Sequence, residues 1–155
     1  MPKTAELEKG ALAPSFSAPD ETGKVHSLAG YKGKTLVLYF YPKDSTPGCT
    51  TQACDFRDRY QTFLEKGAVV LGVSPDSAKS HQNFKQKQQL PFPLLVDEEK
   101  KIIQAYGVWK EKSMYGRKFM GIERSTFVIG PDGRLKDVIR KVSVSGHAQS
   151  LLETL

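Results

Sequence analysis

Only two cysteines occur among the 155 residues. That is too few for a disulfide scaffold, and a chain of this length buries a substantial core without covalent staples. The pair suits a reducing compartment in which thiols carry out chemistry. Apolar runs stop well short of the ~18 residues a membrane-spanning helix needs, so no membrane partner is expected. The opening Met1-Pro2-Lys3-Thr4-Ala5-Glu6 has no apolar stretch, which predicts the absence of a secretory signal and a cytoplasmic protein. Cysteine and histidine never fall at zinc-ligand spacing, and neither a metal nor another cofactor is expected. His26, His81 and His147 lie far from both cysteines in sequence and read as surface side chains. No repeat, low-complexity tract or linker divides the chain, so residues 1–155 read as one domain.

Anionic charge is in deficit. Twenty-three basic residues against 17 acidic ones give a formal charge of +6. A basic chain invites nucleic acid as a partner. The cations are spread along the sequence, however, and the densest stretch, Lys110 to Lys118, is broken by Glu111, Met114 and Tyr115. The charge therefore reads as a solvated surface favouring anionic partners, without specific nucleic-acid binding.

Apolar periodicity places the elements. Ser15–Ala18 and Lys24–Leu28 read as a short hairpin about Pro19-Asp20-Glu21-Thr22-Gly23, after a polar lead-in over residues 1–13. Thr35–Tyr41 and Ala68–Ser74 are continuous apolar runs, the pattern of strands buried on both faces. Ala53, Phe56, Tyr60, Phe63 and Leu64 recur at spacings of three and four, predicting a helix with one apolar face that ends at Gly67. Ser77–Gln89 reads as a helix capped by Ser77, with Phe84 and Leu90 inward. Leu94–Asp97 follows Pro91-Phe92-Pro93, and Lys100–Tyr106 reads as a short helix. Tyr106 and Trp109 read as core, and Tyr115–Gly121 as a loop flanking the functional site. Ser125–Ile129 and Leu135–Val142 flank a hairpin turn at Gly130-Pro131-Asp132-Gly133, and residues 146–154 read as a closing helix. Strand, helix, strand, helix, antiparallel pair and helix suit an α/β domain of thioredoxin-like type.

The chemistry concentrates in Thr46-Pro47-Gly48-Cys49-Thr50-Thr51-Gln52-Ala53-Cys54, between a buried strand and an amphipathic helix. Ser45 or Thr46 can cap that helix, and Pro47 suits its first turn because its missing N–H has no helical partner there. Cys49 then lies in the first turn, where unpaired N–H groups and the positive helix end favour an anion, so its thiol ionises more readily than a free one. On one regular helix, Cys49 and Cys54 have Cα atoms roughly 8.6 Å apart. A disulfide needs less than about 7 Å. Either the bond never forms, or forming it unwinds the first turns. Arg124 directly precedes a predicted central strand, from which its guanidinium can point into the crevice that holds Cys49.

The segment Thr46 to Asp58 resembles the active site of the peroxiredoxins, in particular the bacterioferritin comigratory protein or peroxiredoxin Q subgroup. Pro75-Asp76-Ser77, Gly107-Val108-Trp109-Lys110-Glu111 and Gly121 to Ile129 also resemble their counterparts, in order and with similar spacing. The resemblance implies a thioredoxin-like fold with a central mixed β-sheet flanked by helices and an N-terminal β-hairpin extension. It implies a thiol peroxidase that reduces hydrogen peroxide and organic hydroperoxides. In that reading Cys49 becomes a sulfenic acid, Cys54 resolves it as an intramolecular disulfide, and thioredoxin or a similar dithiol recycles the pair. Arg124 would hold the thiolate and peroxide oxygens, Thr46 would place a hydroxyl beside the sulfur, and Pro42 would shield it. A monomer is expected, because an internal resolving thiol removes the need for a partner subunit. Gln52 departs from the family pattern, standing where a glutamate is frequent. No cysteine is present on a later helix, where some members carry the resolving thiol.

Two other readings compete. A thiol–disulfide oxidoreductase acting on proteins usually carries Cys-x-x-Cys, and four residues intervene here. A redox-switched binding protein would consume one equivalent of peroxide, whereas an enzyme consumes many.

Overall fold

The computed structural model describes residues 7–155, and the first six residues of the expected lead-in lie outside them. Strands β1 (Ser17–Pro19) and β2 (Val25–Ser27) form the N-terminal hairpin. Strand β3 (Thr35–Phe40) leads into helix α1 (Pro47–Glu65) and strand β4 (Ala68–Ser74). Helix α2 (Ala78–Gln88), strand β5 (Leu94–Val96) and helix α3 (Lys101–Ala105) follow. Strands β6 (Trp109–Met114) and β7 (Arg117–Ile122) make a second ribbon, and β8 (Ser125–Ile129), β9 (Leu135–Arg140) and α4 (His147–Thr154) close the described chain.

The central sheet runs β5-β4-β3-β8-β9. β4 is parallel to both β3 and β5, each link crossing over through a helix as parallel pairing demands. β8 lies antiparallel between β3 and β9. The sheet is mixed and flanked by helices, as the element order predicts.

Alternation along β3 explains its unbroken apolar run. Leu36, Leu38 and Phe40 face one core layer with Ile102, Ile103 and Tyr106 around α3. Val37, Tyr39 and Tyr41 face the other, against Ala53, Phe56 and Phe63 of α1, Phe84 of α2 and Leu151 of α4. Each face of the strand is covered, so neither set of positions can be polar. Gly72 of β4 has a packing reason: a Cβ there would lie 2.9 Å from Leu94 and 3.0 Å from the Tyr39 hydroxyl.

Three expectations change. Leu64 is exposed, because Phe63 takes the inward position at that turn and the next residue is rotated about 100° away from the core. Tyr115–Gly121 is not a loop: Arg117–Ile122 pairs with Trp109–Met114 about a turn at Tyr115 and Gly116, both at positive φ. Such a turn matches the twist of a two-residue hairpin. The three histidines are buried, not superficial. His26 stacks on Tyr31 and bonds Asp20 at 2.7 Å, and His147 bonds the Thr126 hydroxyl at 2.8 Å. His81, on the same inward face of α2 as Phe84, reaches back to Asp44.

Candidate active site

The end of β3 and the start of β8 lie side by side. Antiparallel register sets Phe40 opposite Ser125, so the residue before Ser125 must sit beside the segment that leaves β3. That residue is Arg124, and the departing segment is Tyr41–Thr46 followed by α1. Arg124 Nη2 donates to Cys49 Sγ at 3.3 Å. Its Nη1 donates to Gln52 Oε1 at 2.6 Å. Cys49 and Gln52 stand three residues apart on α1 and so share a face. Arginine has no acceptor, which fixes the Gln52 amide with its oxygen toward Arg124. Its Nε2 is buried without a hydrogen-bond partner among the described residues.

Cys49 is the third residue of α1 and only 2% exposed. The first helical bond runs from the Thr50 N–H to the Thr46 carbonyl at 2.8 Å. Ahead of it, the N–H groups of Gly48 and Cys49 have no place in the helical ladder, and Pro47 has no N–H to place. Backbone dipoles and a fixed guanidinium thus converge on one sulfur, an arrangement suited to an anion. Gly48 contributes by lacking a side chain, because a Cβ would come within 3.3 Å of Arg124 Nη2. Nothing in the sequence except its place beside Cys49 pointed to Gly48.

Thr46 occupies the position before the helix, as expected, but neither it nor Ser45 makes the expected side-chain cap. The Thr46 hydroxyl donates instead to the Lys43 carbonyl at 2.8 Å. With the donor so used, its lone pairs remain available to a ligand. Ser45 is held at φ +63°, in the left-handed region, which turns the chain into the helix. Pro42 is half-buried in the same loop, at the end of β3.

A polar network missed in the sequence fastens this loop. Asp44 is buried and accepts from the Tyr41 hydroxyl at 2.6 Å, the Ser80 hydroxyl at 2.8 Å and His81 Nδ1 at 2.7 Å. His81 Nε2 faces the Leu95 carbonyl at 2.8 Å, so both ring nitrogens face acceptors and the ring carries both protons. Burial pushes the His81 pKa down, but the hydrogen bond and charge of Asp44 outweigh it and hold the imidazolium above its ordinary value. Asp76 accepts from the Asp44 N–H at 2.8 Å and the Ser74 hydroxyl at 2.7 Å. The ligand atoms of Asp44, Asp76 and His81 lie within 4.8 Å of one another, yet hydrogen bonds already engage them.

Cys54 lies further along α1, half-buried, its thiol 3.5 Å from Gln88 Oε1 at the end of α2. The two thiols are free and share one unbroken helix. Just beyond Cys54 the helix is pinned. Asp55 accepts the Ala148 N–H at 3.1 Å and so caps α4, Phe56 is fully buried, and Arg57 bonds the Gln88 carbonyl at 2.8 Å.

Comparison with known proteins decides what such a site belongs to. Residues 10–138 match the AhpC/TSA family model. The chain is 53% identical over 149 residues to peroxiredoxin Bcp of Bacillus subtilis, covering 96% of this chain and 95% of that one. The chain belongs to the AhpC/TSA family and is a peroxiredoxin. Among solved structures, a cysteine-to-serine mutant of Xylella fastidiosa PrxQ superposes with a TM-score of 0.92 at 39% identity, covering 97% of this chain and 96% of that one. The bacterioferritin comigratory protein of Xanthomonas campestris, studied for alkyl peroxide reduction in trapped intermediate and ligand complexes, gives 0.86 at 46% identity, covering 90% and 88%. These likenesses bear out the thioredoxin-like fold and the activity class. This peroxiredoxin is a thiol peroxidase. No helix of its described residues is long and apolar enough to cross a membrane.

Proposed function

We propose that Cys49 is the peroxide-reactive thiol and Cys54 the thiol that resolves it, in a single-domain monomeric enzyme of the cytoplasm. The observation that carries the assignment is the Arg124 guanidinium 3.3 Å from Cys49 Sγ at the start of a helix. The Cys49 thiolate attacks the terminal oxygen of a hydroperoxide, the O–O bond breaks, and water or alcohol leaves after taking up a proton. Cys49 is oxidised by two electrons to a sulfenic acid. Arg124 and the N–H groups of Gly48 and Cys49 stabilise charge that develops on the peroxide oxygens. Thr46, its own proton committed to Lys43, accepts from the hydroperoxide O–H and orients it. Pro42 walls the pocket against bulk water.

Cys54 then attacks the sulfenic sulfur and releases water, forming the disulfide. The helical separation of roughly 8.6 Å exceeds what a disulfide spans, so the first turns of α1 unwind at this step. A dithiol protein of thioredoxin type restores both thiols by exchange. Hydrogen peroxide and organic hydroperoxides are the substrates, the latter supported by the alkyl peroxide activity studied in the Xanthomonas relative.

Steady-state and single-turnover kinetics of Cys54→Ser test the division of labour. The variant should reduce one equivalent of peroxide as fast as the parent, then stall with thioredoxin as reductant. Undiminished turnover would remove Cys54 from the cycle, and loss of the first turnover would contradict its separate role.

A further inference from the structure

The two faces of the β6–β7 ribbon carry unlike chemistry. Cross-strand partners share a face. Trp109 with Ile122, Glu111 with Met120 and Ser113 with Lys118 define one side, and Lys112 with Phe119 and Met114 with Arg117 the other. On the first side Ile122 is buried, Trp109 is half-buried, Met120 is 47% exposed beside the carboxylate of Glu111, and Lys118 lies 3.7 Å from that carboxylate. The second side carries Lys112 and Arg117 beside Met114 and Phe119, 58% and 44% exposed, and the ribbon's single carboxylate, Glu111, points away from it. Tyr115, at the turn, is 96% exposed. Exposed apolar side chains ringed by cations on a projecting ribbon mark an interaction surface.

We propose that this face docks the acidic surface of the dithiol protein that reduces the Cys49–Cys54 disulfide, an inference that rests on the roles assigned to those thiols above. Hydrogen peroxide and short alkyl hydroperoxides are neutral and small, so neither the ribbon's cations nor its aromatic tip serve their binding. The ribbon ends at Ile122, two residues before Arg124, whose guanidinium touches Cys49. Its six-residue strands extend about 20 Å from that point. A protein partner burying about 800 Å² covers a patch roughly 30 Å across, enough to meet the ribbon and the start of α1 together. A reductant must also leave after each cycle, which suits a small patch with steering charges. The net charge of +6 adds a long-range attraction of the same sign preference.

Once docked, one thiolate of the partner attacks a sulfur of the disulfide. That S–S bond breaks, a mixed disulfide forms, and the other cysteine leaves as thiolate. The partner's second thiolate attacks its own sulfur in the mixed disulfide and frees the remaining cysteine. Two electrons pass to the peroxiredoxin, its released thiolates take up the protons that the partner's thiols gave up, and the partner departs oxidised.

Two variants test the surface: Lys112→Glu with Arg117→Glu, and Met114→Ser with Phe119→Ser. Turnover is measured with hydrogen peroxide and either dithiothreitol or an acidic thioredoxin regenerated by its reductase and NADPH. The charge-reversed variant should lose at least about 10-fold in kcat/KM for thioredoxin at low salt. Added salt should weaken the parent's kcat/KM and not that of the variant, the serine variant should lose at any salt, and dithiothreitol rates should match the parent's. Equal thioredoxin kinetics in parent and variants would overturn the proposal. So would a parent that turns over with dithiothreitol but accepts no acidic thioredoxin, although the peroxidase assignment would stand. Failure with dithiothreitol as well would sink the thiol assignment itself. Binding of the parent but not the charge-reversed variant to anionic phospholipid vesicles, with unchanged thioredoxin kinetics, would give the face to a membrane and refute the docking.

Discussion

Arg124 places one N–H on Cys49 and another on Gln52, so truncating it removes a fixed charge and leaves a buried amide oxygen without its donor. Arg124→Ala should slow peroxide attack by about 10²-fold or more, the scale of losing one preorganised donor at a developing oxyanion. Stopped-flow reaction with peroxide measures it, and an unchanged first-turnover rate would make Arg124 a structural residue. Gly48→Ala should separate rate from stability. Alanine is the better helix former, but its Cβ, 3.3 Å from Arg124 Nη2, makes the guanidinium shift and so lengthens its contact with the sulfur. Slower attack without loss in a denaturant melt is expected. His81 gives the pH test. Its folded-state pKa is raised above the ordinary 6.5, so its contribution to stability is complete below 6.5 and fades as pH rises through the higher folded value. His81→Gln leaves Asp44 buried without its cation, at a cost of about 3–5 kcal/mol. Unfolding free energies of parent and variant should differ most near pH 5.5 and converge as pH rises above 6.5. His147 titrates in the opposite sense, since burial holds it below its ordinary value, which is why the parent–variant difference is the quantity to follow.

At the scale of elements, α1 has a loose end and a fastened one. Its first turns lack a side-chain cap and are held through Arg124 on Cys49 and Gln52, a contact that oxidation of Cys49 alters, while Asp55, Phe56 and Arg57 tie the next stretch to α4, the core and α2. On the proposed Cys49–Cys54 pairing, unwinding is expected to run from Pro47 toward Cys54 and to stop at Asp55. Hydrogen exchange on the oxidised protein should show protection lost over residues 48–54 and retained from Phe56 onward, and loss through Phe63 would contradict that boundary. The outline of α1 was legible because Pro47, the three-and-four spacing of Ala53, Phe56, Tyr60 and Phe63, and the stop at Gly67 are local signals. The absent cap was not, because the Thr46 hydroxyl could accept from the first helical N–H groups or donate to a nearby carbonyl, and only the fold shows it donating to Lys43. The β6–β7 ribbon escaped notice for a related reason. Lys110, Lys112, Arg117 and Lys118 interrupt any apolar alternation, and its turn uses Tyr115 and Gly116 rather than Asn-Gly.

For the whole molecule, the α/β class could be anticipated from the continuous apolar runs, the helical periodicities between them and the hairpin turn at Gly130–Gly133, whereas the strand order β5-β4-β3-β8-β9 could not. What stayed hidden depends on contacts between distant segments. His81 finds Asp44 across 37 residues, and Asp55 caps a helix 93 residues away. Neither leaves a periodic trace, because a single polar residue on a polar helix or at a helix face reads as solvated until its partner is known. The same holds for Arg124 and Cys49, 75 residues apart, which the family resemblance paired and the antiparallel β3–β8 register now explains. The most direct measurement is intact-protein mass spectrometry of the reduced chain after one equivalent of hydrogen peroxide, with peptide mapping. A loss of two mass units joining Cys49 to Cys54, reversed by thioredoxin, is the expected result. An unmodified chain, or slow scattered oxidation of methionine, would mean that Cys49 is an inert buried thiol and would contradict the account at its centre.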